Sequence, residues 1–465
     1  MTRQDTVPRA TPRGRLALED LRTAVADGRV QTVLLAVVDA QGRAKGKAYD
    51  AQFFLDRLVD GDGAGEMCAY VFATDIEMTP LTGFELTGWQ AGYGDVRLAP
   101  DLGSVRLLPW LPRTAMVFAD AIGADEQPVP IAPTAILRRQ IEALASRGLT
   151  VKAGLETEFV LYQGTLAQAA ATAFRGLRPV TADNRDYALD HPRELVRYTA
   201  KLTAALAGAG HPVEAVKTEG APGQVEVTFP YGEPVAACEQ HVLLKHAARA
   251  VGERMRLLPT FMAAPADRVA SGLHLHVSLW QGEEAVLADR ERPGELSELG
   301  RQVVAGLLEG LPELSPLYAP NVNSYKRYRP HSFAPTWFTW GWDNRSCAVR
   351  VVGHGSGLHL EIRLPGADAN PYLALAAVLA AARRGIEGGL KPPAATTGDG
   401  YRDHADAAVP TTLREALRLF EASTLAGDLL GPEVVAHYAS LAQAELRVHD
   451  ARVTDVELAC GFAQT

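Results

Sequence analysis

The sequence predicts an α+β protein with a small β-rich N-terminal part and a larger mixed domain behind it. Three observations predict this. The chain has 465 residues, too many for one ordinary hydrophobic core. Its early apolar runs are β-branched and divided by turn residues, whereas its later strand-like runs alternate with amphipathic helical ones.

Met1 to Arg15 is rich in Arg, Thr and Pro and lacks the apolar core of a secretory signal, so residues 1–20 are expected to form a flexible tail. Val30 to Val38 then reads as a strand, Asp39-Ala-Gln-Gly-Arg43 as a turn, and the basic stretch Ala44-Lys-Gly-Lys-Ala48 as a second strand. Val96 to Pro109 and Ala115 to Asp120 complete a β-rich unit placed at residues 21–125. The link Asp125-Glu-Gln-Pro-Val-Pro130 leads into the second unit, residues 126–465, where Thr134 is expected to cap a helix over Ala135 to Leu144. Beyond it, alternating strands are predicted over Lys152–Leu161, Gln224–Phe229, Leu273–Leu279 and Leu358–Leu364. Helical runs at His241–Arg254, Tyr372–Glu387 and Leu413–Ser423 separate or follow them, and a Pro/Gly/Asp-rich loop lies near Lys391 to Asp399.

The composition narrows the class of partner. An apolar fraction of 47% with 22% charged residues is that of a globular enzyme, and no apolar run is long enough to span a bilayer. A net charge of -9 argues against general affinity for nucleic acid, which needs Lys and Arg along one face. Small molecules and copies of the chain itself are the expected partners. Cys68, Cys238, Cys347 and Cys460 are scattered without a CxxC pair, so neither a zinc site nor a disulfide framework is indicated, and the cytoplasm is the expected compartment.

The four alternating strands of the larger unit all carry carboxylates or imidazoles. In Gly154-Leu-Glu-Thr-Glu158 the pleat sends Glu156 and Glu158 to one face, where two buried carboxylates need a cation or raised pKa values. An exposed edge strand would explain a lone pair of this kind. Glu219 precedes a Gly/Pro turn, Glu226 interrupts Val225, Val227 and Phe229, and His274 and His276 share a face opposite Leu273, Leu275 and Val277. Glu361 and Arg363 share another. A solvated surface explains each pair but not the set. Glutamates with an imidazole suit Mg²⁺ or Mn²⁺ better than zinc or copper, and Arg327, Arg345, Arg350 and Arg363 supply guanidinium groups for carboxylate or phosphoryl oxygens. These residues alone describe a two-metal phosphoryl-transfer enzyme, and a metallohydrolase would look similar.

The order of the motifs is more specific. Glu156-Thr-Glu158-Phe, Pro222-Gly-Gln-Val-Glu226, Pro259-Thr-Phe-Met262, Ser271-Gly-Leu-His-Leu-His-Val-Ser-Leu279, Asn323-Ser-Tyr-Lys-Arg327, Asn344-Arg-Ser346, Glu361-Ile-Arg-Leu-Pro365 and Ala369-Asn-Pro-Tyr-Leu373 resemble, in sequence and spacing, the glutamine synthetase family. The resemblance runs from about Val30 to the last helix. It implies an N-terminal β-grasp-like domain and a catalytic α/β domain of the glutamine synthetase type, assembled as a homo-oligomer, a dodecamer of two hexameric rings. It further implies ATP and two Mg²⁺ or Mn²⁺ ions per site, with glutamate and a small amine as substrates. Carried over to this chain, Glu158, Glu219 and Glu226 match the ligands of the ion that activates glutamate, and Glu156, His274 and Glu361 those of the ion at the ATP phosphates. Arg327 matches the grip on the glutamate α-carboxylate, Gly272 borders that substrate, and Arg363 matches a γ-carboxylate contact. Arg345 matches the residue that stabilises the transferred phosphoryl group, Arg350 an ATP-phosphate contact, and His276 and Ser278 the nucleotide site. Asp95 matches an aspartate that reaches a neighbouring subunit's site and helps to deprotonate the amine.

Two departures bear on the nucleophile. Where ammonium-using members carry a flap glutamate in a Gly-Tyr-Glu-Ala-Pro pattern, this chain reads Pro330-His-Ser-Phe333-Ala-Pro335, so Phe333 replaces the acid. An aromatic ring can pack on an alkyl chain or face a cation but cannot take a proton. Lys217-Thr-Glu219 also replaces the usual His-His-Glu. The pattern is similar to that of γ-glutamyl-amine ligases, including the polyamine and ethanolamide synthetases, and it implies ligation of glutamate to an organic amine through γ-glutamyl phosphate. An ammonium-using glutamine synthetase and a non-catalytic ring scaffold or amine sensor are the alternatives. Tyr401, near a modified tyrosine of bacterial members but in a different context, is read as an ordinary loop residue.

Overall fold

The computed structural model describes residues 14–84, 87–89, 92–292, 294–402 and 407–463. Of the expected tail, residues 1–13 lie outside this range. From Gly14 the chain already runs along the first sheet, with the Leu16 N–H donating to the Val105 carbonyl, and a helix starts at Leu18, so ordered structure begins before residue 20.

The first sheet contains β1 (Thr32–Val38), β2 (Ala44–Asp50), β3 (Gly65–Cys68), β4 (Asp95–Pro100), β5 (Arg106–Leu107) and β6 (Thr114–Ile122), in the order β2-β1-β6-β4-β3 with β5 also on β6. β1 and β2 form the expected hairpin. Its turn is fixed by the buried Asp39 carboxylate, which accepts from the Gln41 and Arg43 N–H groups and from the Arg43 guanidinium. From Val33 onward β1 is apolar because it is covered on both faces: Val33, Leu35 and Val37 enter one core with Val96, Leu98 and Val117, and Ala36 and Val38 enter the larger one.

The second sheet holds β7 (Thr150–Gln163), β8 (Ala215–Thr218), β9 (Gln224–Thr228), β10 (Leu257–Thr260), β11 (Leu273–Gln281), β12 (Glu284–Ala285), β13 (Trp340–Trp342), β14 (Val349–Val352) and β15 (His359–Ile362). The order is β13-β14-β15-β11-β7-β9-β8, with β10 on β7 and β12 on β11; every pair is antiparallel except β13 with β14. One face carries Leu155, Phe159, Val225, Val227, Leu273, Leu275, Val277, Leu360 and Ile362, all in the large core. Helices Pro133–Ala145, Arg193–Gly208, Pro234–Met255 and Pro371–Gly388 contribute their apolar faces to the same core. Residues of the other parity form the opposite face, and the carboxylates and imidazoles stand there.

The helix at residue 133 differs from expectation. Ala132, not Thr134, is its N-cap, and Pro133 takes the first helical position, where its fixed φ is pre-organised and its missing N–H costs nothing. In Ala369-Asn-Pro-Tyr, Asn370 caps its helix by accepting from the Tyr372 N–H, and its amide donates to the Asp39 and Ala40 carbonyls. That residue therefore ties the β1–β2 turn to the second sheet's helical layer. A buried ion pair between Arg106 of β5 and Glu239 of helix Pro234–Met255, at 2.7 Å, adds a second tie.

Candidate active site

Strand register brings the predicted residues together. Glu156 lies opposite His274, His276 opposite Glu361, Glu361 opposite Arg350, and Glu158 opposite Glu226. One donor atom each from Glu156, His274 and Glu361 lie within 4.8 Å of one another, and so do those of Glu158, Glu226 and His274. His274 thus stands between two carboxylate groups, 3.4 Å from Glu156, 3.5 Å from Glu361 and 3.8 Å from Glu158. Glu219 joins neither group. Its carboxylate is paired with the ammonium of Lys217, which lies opposite Glu226 across the ladder.

The electrostatics show a site built for cations. Burial, then the charges of Glu156, Glu158 and Glu219, push the Glu226 carboxyl up to about 9 despite Lys217. Burial would raise Glu156 too, but hydrogen bonds and charge from His274 and His276 hold it well below its ordinary value. Glu361 is brought down to about 2: burial opposes this, and Arg363, His274, His276 and Arg350 outweigh it. Burial also disfavours the charge on Lys217, yet Glu219, Glu226 and Asp186 together raise its pKa.

Gly272 shows how tightly this face is drawn. Its N–H donates to Glu158 at 2.8 Å, and a Cβ there would sit 2.8 Å from both the Arg327 guanidinium and the His274 ring. Oxygen donors with one imidazole, and a carboxyl that stays protonated without a cation, fit hard divalent ions.

The arginines frame the site. Arg327 is buried, and one of its nitrogens donates to the Arg363 and Leu364 carbonyls at 3.0 Å each. Arg363 is ion-paired with Glu361 and also donates to the Phe333 and Arg345 carbonyls. Arg350 bridges Glu361, at 2.7 Å, and Asp343. The Arg345 side chain is exposed. His276 is 3.2 Å from Glu156, and the Ser278 hydroxyl accepts from Trp280. Asp95 is exposed at the start of β4, on the other sheet, and is not brought to the carboxylates within one chain.

Phe333 is exposed, on a segment held at both ends of the site: its carbonyl accepts from Arg363, and the Ser332 hydroxyl donates to the Arg327 carbonyl at 3.2 Å. Tyr401 belongs here as well. Its ring lies 5.2 Å from His331 and its hydroxyl beside the Phe333 backbone, so it is a wall of this segment and not an independent loop residue. Sequence reasoning also missed Gln224, whose amide donates to Glu158 and to the Ala270 carbonyl, at 2.9 and 2.7 Å. A buried polar residue beside a Gly/Pro turn was the available signal.

A model of the catalytic domain of glutamine synthetase matches residues 130–460. The chain belongs to the glutamine synthetase family. It is 43% identical to gamma-glutamylethanolamide synthetase GlnA4 of Streptomyces coelicolor, over 96% of each chain. It is 33% identical to a glutamate–isopropylamine ligase of a Pseudomonas species, over 94% of this chain and 96% of that one. A solved GmaS–ADP complex superposes with a TM-score of 0.81 at 25% identity, covering 95% of this chain and 99% of that one. As a member of this family the protein is a ligase that forms carbon–nitrogen bonds, using ATP and divalent metal ions. No helix among the described residues is long and apolar enough to cross a membrane.

Proposed function

We propose that the protein joins the γ-carboxylate of glutamate to an organic amine in two steps driven by ATP, in the cytoplasm and as a ring oligomer. The observation that carries this reading is a face of converging carboxylates, an imidazole and arginines beside a segment on which Phe333 stands in place of an acid. Relatives whose names specify an ethanolamide product and an isopropylamine substrate support the same choice of nucleophile.

A carboxylate resists nucleophiles because of its charge. Transfer of the ATP γ-phosphoryl group to the glutamate γ-carboxylate removes that obstacle, releasing ADP and leaving phosphate as the group to depart. Glu156, His274 and Glu361 would hold one Mg²⁺ or Mn²⁺ ion and Glu158 and Glu226, with Glu219, a second, and the two ions would supply positive charge against the phosphoryl and carboxylate oxygens. Arg327, fixed by two backbone carbonyls, keeps further donors for the glutamate α-carboxylate across the space that Gly272 leaves open. Arg363 faces the γ-carboxylate, Arg345 follows the transferred phosphoryl group, and Arg350, His276 and Ser278 border the nucleotide. The amine must lose a proton before it attacks the acyl phosphate. Asp95 of a neighbouring subunit is the base in this reading, and Phe333 covers the amine's carbon chain. Release of phosphate that requires glutamate and amine together tests the reaction class, since a hydrolase would release phosphate from ATP without either.

A further inference from the structure

Both arginines assigned to glutamate depend on one short stretch of chain. Arg363 opens it, and the Arg363 and Leu364 carbonyls accept from Arg327 at 3.0 Å each. The stretch then pairs with the backbone on either side of Gly272: the Leu273 N–H donates to the Pro365 carbonyl, and the Ala367 N–H to the Ser271 carbonyl. Asp368 closes it. One oxygen of this carboxylate accepts from the Ser324 hydroxyl at 2.6 Å and from the Asn321 amide at 2.8 Å, and the Asn321 N–H donates to the Ser324 hydroxyl oxygen at 3.0 Å. Ser324 begins the 3₁₀ turn Ser324–Arg327, which ends on Arg327. Asp368 therefore grips the start of the turn, while the carbonyls of residues 363 and 364 grip the side chain at its end. The packing leaves the carboxylate little choice of place, since a Cβ on Gly366 would meet its other oxygen at 2.6 Å and the Ala263 side chain at 2.8 Å. Asn323 holds the turn separately by exchanging hydrogen bonds with the Ala264 backbone, 3.0 Å in each direction, so loss of Asp368 should loosen the turn without unfolding it.

We propose that Asp368 is a positioning residue for the acid substrate: by pinning the Ser324–Arg327 turn to the stretch that carries Arg363, it sets the separation of the two guanidinium groups and so selects an amino diacid with glutamate's carbon chain. This rests on the amine-ligase reading above, in which Arg327 takes the α-carboxylate and Arg363 faces the γ-carboxylate, and it sharpens the acid half of the substrate pair. A guanidinium gains most from a carboxylate when its N–H groups line up with both oxygens, so two such grips on one molecule work together at only one spacing. Aspartate, one methylene shorter, satisfies one grip at a time. When the turn is loosened, glutamate loses the benefit of simultaneous engagement, whereas aspartate has none to lose.

The test measures kcat/KM for L-glutamate and L-aspartate by ADP release at saturating ATP, Mg²⁺ and ethanolamine. The wild-type enzyme should favour glutamate by about 100-fold. Asp368→Ala should narrow that preference to about tenfold, chiefly through a KM for glutamate raised about tenfold, with kcat and the KM for ATP within about threefold of wild type. Asp368→Asn keeps an oxygen that accepts from Ser324 and Asn321 and should retain most of the preference. Ser324→Ala, which removes only the buried hydroxyl, should shift the preference in the same direction as Asp368→Ala, and it gives a second reading in case the alanine at 368 folds poorly. Equal use of the two acids by the wild type, an unchanged preference in both alanine variants, or a loss shared equally by glutamate, aspartate and ATP would overturn the Asp368 assignment alone. Absence of turnover with glutamate and any amine would overturn the parent reading and this one with it.

Discussion

Replacing Gly272 by alanine adds one carbon atom where the structure has least room. The new Cβ would lie 2.8 Å from the Arg327 guanidinium and 2.8 Å from the His274 ring, well inside contact distance, so at least one of them must move. Neither moves freely. Arg327 is tied to the Arg363 and Leu364 carbonyls at 3.0 Å, and His274 is wedged between Glu156, Glu158 and Glu361 at 3.4 to 3.8 Å. Losing one hydrogen bond to a charged group costs about 1.5–3 kcal/mol, and about 1.4 kcal/mol is a factor of ten in rate, so kcat/KM for glutamate should fall roughly 10- to 150-fold. The Gly272 N–H to Glu158 survives the change, and so should the fold. Steady-state ADP release with glutamate varied measures the loss, and circular dichroism checks the structure. A kcat/KM within about threefold of wild type would refute the view that Gly272 is there to let Arg327 and His274 converge.

The metal-free protein should lose stability as pH rises from about 4.5 through 9, because the folded Glu226 carboxyl titrates near 9 and the unfolded one near 4.5, so the native state holds the extra proton between them. Thermal melts in EDTA should show that decline, Mg²⁺ should reverse it with proton release, and Glu226→Gln should flatten it; a flat wild-type profile would contradict the buried, mutually repelling carboxylates. Glu239→Ala leaves Arg106 charged and unpaired in the interior, which should cost about 3–5 kcal/mol in urea unfolding, against under about 1 kcal/mol for a surface pair such as Arg290–Glu284. Phe333→Glu should shift the preference between ammonium and an organic amine towards ammonium by about tenfold, read from competing-substrate assays with product masses, while an unchanged ratio would remove Phe333 from the amine pocket.

Much of the site was legible because sheet geometry converts sequence parity into a common face. Glu156 with Glu158, His274 with His276, and Glu361 with Arg363 each sit two apart, and antiparallel register then aligned their strands. Polar residues interrupting Val and Leu had to face something other than the apolar core. Parity reveals nothing about residues supplied by loops. Asp186 and Tyr187, which hold Lys217, are some thirty residues from it in the chain and on no strand, and Tyr401 reaches the Phe333 segment from a stretch that reads as ordinary turn. The Lys217–Glu219 ion pair depends on side-chain reach, which motif position does not give. Thr134 was a reasonable cap by residue type, but Pro133 starts the helix two residues before the expected Ala135.

The central claim is that glutamate, activated by phosphorylation, is attacked by an organic amine. Purified protein with ATP, Mg²⁺ and glutamate, offered ethanolamine and ammonium together and followed by product mass, tests it most directly. The account predicts mainly the γ-glutamyl amide of ethanolamine, with kcat/KM for ethanolamine about tenfold or more above that for ammonium. Glutamine as the dominant product would contradict it.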